Sequence, residues 1–183
     1  VLIDAFGRVR TSLHDLLGGL DKRILTERPA EGANPIGWIT WHLTRVQDDH
    51  ISVLADQKQV WFTQGWSERF NLPFDVVATG YGHMPAETAS VAVSGELLLD
   101  YHDAVSSSTR EYLRAIGPHD LDRVIDDTWE PPITLGARLV SVLEDNMQHV
   151  GQVSYVRGLL ERGGICVGAF GAVDLGIGRM GAG

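Results

Sequence analysis

The chain has 183 residues, 44% of them hydrophobic and 21% charged, which is the length of one domain able to bury a sizeable core. Its 15 basic and 24 acidic residues leave a formal charge of −9, the wrong sign for a protein whose main partner is a phosphate backbone. No apolar run approaches the roughly 20 residues of a membrane span, the opening VLIDAFGRVR does not read as a signal peptide, and a lone cysteine, Cys166, forbids an internal disulfide and suits a reducing cytoplasm.

In chain order, the first predicted helix covers about Leu2 to Leu20, where Leu2, Phe6, Val9, Leu13, Leu16, Leu17 and Leu20 recur at helical spacing and Gly18–Gly19 weaken the end. The second opens at Asn34–Pro35, with Asn as the expected N-cap and Pro in the first turn. Ile36, Ile39, Leu43, Val46 and Leu54 carry its stripe to about Ala55. The connection from Asp56 to Pro85 holds Trp61, Phe62, Trp66, Phe70, Phe74 and Tyr81, so it is expected to pack down on the bundle and to carry short helices or function. A third helix is expected over about Glu87 to Ile116, stopped by Gly117–Pro118. The stretch HDLDRVIDDTWEPPIT then reads as a connection with a short extended piece. Thr134 is the expected cap of a fourth helix, Leu135 to about Leu160, with Leu139, Val142, Leu143, Met147, Val150 and Tyr155 inward. Residues 163–183 are apolar and hold 8 of the 21 glycines; such a segment is ordered only by packing, and a subunit interface is its expected place. The sum is an all-α four-helix bundle, residues 1–162, with a long helix 2–3 crossover, followed by this tail.

The stretch EDNMQHVGQVSYVRG carries the most chemistry. Asp145 and His149 lie four residues apart and share a helix face, a spacing that offers a metal two ligands. The same spacing also suits a plain side-chain hydrogen bond. A third ligand must come from a facing helix, and His42 in WITWHLTRVQDDH is the best placed. Two His and one carboxylate would leave a coordination position open for water or substrate. Glu144 points about 100° away from Asp145 and is no substitute; Asp49, His50 and Gln148 stand in reserve. Arg45, one turn from His42, Arg138, about two turns before Asp145, and Arg157 are candidates to hold an acidic substrate or cofactor, against the plainer reading of solvated or ion-paired groups. His83 in TGYGH is a turn residue that could lie over the pocket mouth, whereas His14, His102 and His119 read as surface groups beside acidic neighbours. No phosphate-cradling glycine tract follows a strand.

The segments NPIGWITWHL, RVQDDH, TGYGH and RLVSVLEDNMQHVGQVSYVRG resemble the DinB-like superfamily of four-helix bundles, in particular its actinobacterial branch related to mycothiol-dependent maleylpyruvate isomerases. The resemblance covers about Leu2 to Leu160. It implies a divalent metal, zinc or nickel, held by one His on the second helix and a pair on the last, by position His42, Asp145 and His149. Many members have His at the first paired position and the isomerase branch has Glu; here it is Asp. It further implies a cytoplasmic homodimer that transfers or isomerises a small electrophile with a low-molecular-weight thiol such as mycothiol. A non-catalytic metal- or ligand-binding protein of dimeric scaffold type is the alternative it leaves open.

Overall fold

The computed structural model describes residues 1–163. Its long helices are α1 (Leu2–Leu17), α3 (Ile36–Ala55), α7 (Gly95–Ala115) and α8 (Leu135–Glu161). Short helices α2 (Lys22–Thr26), α4 (Val60–Thr63), α5 (Trp66–Phe70) and α6 (Pro85–Ala89) fill the connections. A 3₁₀ turn over Pro118–Asp122 leads into a two-stranded antiparallel ribbon, β1 (Val124–Asp126) with β2 (Ile133–Thr134). Both α1 and α3 pack against α7 and α8, so α1 and α3 stand diagonally in a four-helix bundle. No helix of the described residues is long and apolar enough to cross a membrane. The 163–183 tail, and with it the expected interface, lies outside the described residues apart from Gly163.

Several boundaries differ from the sequence reading. Helix α1 stops at Leu17, one turn early, and Pro35 rather than Asn34 is the N-cap of α3: its extended backbone (φ −73°, ψ 154°) keeps it outside the helix. The predicted third helix is two pieces. Ser94 accepts a hydrogen bond from Leu97 N and starts α7 afresh, while Val91, in the intervening non-helical stretch, is buried and passes over α3 at Gly37. A β-carbon at Gly37 would stand 2.9 Å from Val91 O and 3.1 Å from Leu25 O, so glycine permits that crossing. Thr134 caps α8 as expected, accepting from Ala137 N. On α8, however, Met147 and Tyr155 face outward at 60% and 67% exposure, because a 27-residue helix in a bundle buries only the stripe Leu135, Leu139, Val142, Asn146, Val153 and Val156.

The core lies in two apolar layers with a polar layer between. The larger gathers Leu13, Leu17, Leu43, Tyr101, Val105 and Val153 with the aromatics of the crossover; the smaller gathers Phe6, Ile51, Leu113, Leu139 and Val142. Between them Asn146 Nδ2 donates to Gln47 Oε1, and Gln47 Nε2 donates to Thr109 Oγ1 at 2.8 Å, linking α8, α3 and α7 across the buried centre.

Candidate metal centre

The α3–α8 packing brings the three predicted ligands to one place on the bundle. The His42 and His149 rings lie 4.9 Å apart, edge to face, and His149 Nε2 is 3.5 Å from Asp145 Oδ1. All three side chains are partly buried. His42 is the most constrained: its ring stacks on Trp38 at 4.7 Å and its Nδ1 lies 2.5 Å from the carbonyl of Thr79. A carbonyl only accepts, so Nδ1 carries the proton and Nε2 presents a lone pair, the tautomer and backbone support typical of a ligating imidazole. Burial lowers the His42 pKa, outweighing the Thr79 bond, which keeps the ring neutral. Burial also works against charge on Asp145 and His149, but their mutual contact prevails: the carboxyl is held below, and the imidazole above, its ordinary value.

The donor chemistry suits a divalent ion. Among the described residues Asp145 Oδ2 is buried with no hydrogen-bond partner, a free acceptor beside two imidazoles. The arrangement is nevertheless not closed: among the described residues no three His, Cys, Asp or Glu side chains are gathered tightly enough to hold an ion. The open corner is His149, which turns Nε2 to Asp145 and Nδ1 to Gln152 Oε1 at 2.8 Å.

The crossover builds the support for His42. Four successive carbonyls are taken by side chains: Val76 O by Trp61 Nε1 (2.9 Å), Val77 O and Ala78 O by Arg45 (3.4 and 3.2 Å), and Thr79 O by His42. Gly80 follows at φ +104°, and a β-carbon there would stand 2.7 Å from His42 Nδ1 and about 3 Å from Trp38 and Trp41. Only glycine lets the chain lie this close over the ring in this conformation. Asp48 anchors the other end. It accepts from Val60 N (2.9 Å), Trp61 N (2.8 Å) and Tyr101 OH (2.9 Å), which fastens α4 and the crossover to α3 and α7.

The other candidates take different places. Arg45 is wholly buried: besides the two carbonyls it donates to Gln59 Oε1 at 2.7 Å, and its guanidinium lies over Trp61 and 3.8 Å from Asp48. Arg157 donates to the carbonyls of Asp15 and Leu16 and to Glu161, closing the C-terminal end of α1. Arg138 is partly exposed, 4.0 Å from Asp126. His83 is half-buried, not a free loop group: Trp38 Nε1 donates to its Nδ1 at 3.2 Å and its ring packs on Trp41 and Phe74. His102 corrects the surface reading. It is 1% exposed, facing Thr44 Oγ1 at 3.2 Å, because its position on α7 points at α3 despite the adjacent Asp103. Sequence spacing picked out three side chains that the structure brings together but missed what supports His42, the Thr79 carbonyl and Gly80; the glycines flanking Tyr81 were the one available signal.

A family model described as the DinB superfamily matches residues 5–153. Among solved structures, the chain is similar to a conserved protein from Enterococcus faecalis, at 32% identity and a TM-score of 0.79, over 85% of this chain and 92% of that one. No curated protein matches.

Proposed function

The chain belongs to the DinB superfamily, and on that premise we propose that it is a divalent-metal protein that uses a low-molecular-weight thiol of the mycothiol type to transfer to, or isomerise, a small electrophile. The observation that carries this reading is Asp145 Oδ2, a buried carboxylate oxygen without a partner among the described residues, beside His42 and His149. Zinc and nickel both accept this donor set. When bound, such an ion supplies Lewis acidity, lowering the pKa of a thiol so that it acts as a nucleophile near neutral pH. The chain's own residues do the rest. The Thr79 carbonyl holds His42 in one tautomer, Trp38 stacks on one face of its ring with His83 and Trp41 packed behind, and His149 would exchange its contact with Asp145 for the ion. A cytoplasmic homodimer is part of the reading; the outward Val140, Met147 and Tyr155 of α8 supply apolar surface for it, and solution mass tests it.

A second reading, a non-catalytic binding or scaffold bundle, is favoured by one fact: no three ligating side chains are gathered among the described residues. The two part on a direct assay. The full chain is loaded with zinc or nickel and given mycothiol and a panel of small electrophiles, with thiol loss followed against His42→Ala. Metal-dependent consumption that His42→Ala lacks supports the first reading; equal rates in the two proteins decide for the second.

A further inference from the structure

On the same α3–α8 seam as Asp145, toward the start of α8, lies a cavity of about 520 Å³, within the range of small-ligand sites. Arg138 of α8, Arg123 just ahead of β1 and His50 of α3 line it, with Val53 and Ile125 as apolar wall and Asp126 at one side. Its architecture is firm: β1 pairs with β2, and Leu135 N donates to Arg123 O at 2.8 Å, tying the ribbon to the first turn of α8. In a chain of charge −9, two arginines on one cavity are a local reversal of sign. Arg138 is not satisfied by its own neighbour. Its guanidinium stops 4.0 Å from Asp126 Oδ2, beyond hydrogen-bond distance, while Asp126 Oδ1 takes the amide and hydroxyl of Thr128. Arg138 stands about two turns before Asp145 on α8, and His50 about two turns after His42 on α3, so this cavity lies along the same seam as the candidate metal centre.

We propose that this cavity is an acid-binding subsite, in which Arg138 and Arg123 hold the carboxylate of a small organic acid whose aliphatic body lies against Val53 and Ile125. The planar fork of Arg138 matches a carboxylate bidentately, and the side chains of Val53 and Ile125 offer a short carbon chain apolar contact that inorganic anions cannot use. The inference deepens the reading above by giving the electrophile a carboxylate, and it rests on that reading only for its role in turnover.

Hexanoate, hexanol and inorganic phosphate are titrated into metal-free full-length chain, with binding followed by calorimetry and ligand-observed NMR. Hexanoate is expected to bind at least about tenfold more tightly than hexanol or phosphate. Arg138→Met and Arg123→Met should each weaken hexanoate by about tenfold or more, with Arg138→Lys in between, since it keeps the charge and loses the fork. Zinc uptake by these variants should match the parent. Hexanoate affinity unchanged in Arg138→Met or in Arg123→Met, or hexanol or phosphate binding as well as hexanoate, would overturn the assignment. Because the titration is run without metal, its failure leaves the metal site standing, and failed metal uptake leaves the acid subsite measurable.

Discussion

His102 shows how burial sets a charge state. Thr44 Oγ1 already donates to Thr40 O, so it must accept from His102 Nδ1–H, which leaves Nε2 a bare acceptor, buried and without a partner. Desolvation, with Arg10 and His14 adding repulsion against the attraction of Asp103, takes the pKa from 6.5 to about 4. Between those values the unfolded chain binds a proton that the folded chain refuses, so stability falls as pH drops from 6.5 toward 4. His102→Gln should flatten that loss by up to about 3 kcal/mol, read from urea unfolding of both proteins across the window. The sequence could not show this, because the adjacent Asp103 suggested a solvent-facing pair while the helical phase of α7 sends the two side chains to different sides. Asp145 was legible from its spacing to His149. There the shorter stem predicts that Asp145→Glu retains metal, whereas Asp145→Ala, leaving two imidazoles, weakens it by at least about tenfold in a competition titration.

At the scale of elements, the crossover supports the site. The strap of residues 76–79 is held by side chains from α3 and α4, and Gly80 seals it over His42. Gly80→Ala should therefore cost about 1–3 kcal/mol of stability, from an αL-side backbone and a displaced ring. It should also weaken metal binding by about 10–100-fold, the usual effect of disturbing a ligand's backbone support. Asp48→Ala strands the amides of Val60 and Trp61, the Tyr101 hydroxyl and the buried Arg45 charge at once, and a loss of about 3–5 kcal/mol is expected in urea unfolding. That the crossover packs down was readable from its aromatics, and Trp61, Trp66 and Phe70 are buried. Arg45 was not readable as a clamp, since an arginine one turn from a candidate ligand looks the same in sequence whether it faces substrate or the two carbonyls of Val77 and Ala78.

At the scale of the whole molecule, the Asn146–Gln47–Thr109 layer fixes the register in which α3 and α8 meet, and so the facing of His42 and His149. Asn146→Ala alone leaves Gln47 half-satisfied in the core and should cost about 2 kcal/mol. The double change Gln47→Leu with Asn146→Leu should recover most of that stability while losing metal affinity, as apolar layers slide where hydrogen bonds did not. The four-helix plan was legible because each long helix carries a 3.6-residue apolar stripe. The break between α6 and α7 was not, because Val91 continues the stripe through a stretch that is not helical.

The central claim is tested most directly by the metal content of the full chain, prepared without chelator or affinity tag, offered zinc or nickel and cleared of excess, beside His149→Ala treated identically. About one divalent ion per chain is expected in the parent and a clear loss in the variant. Metal below about a tenth of an ion per chain in the parent, or equal content in both proteins, would contradict it.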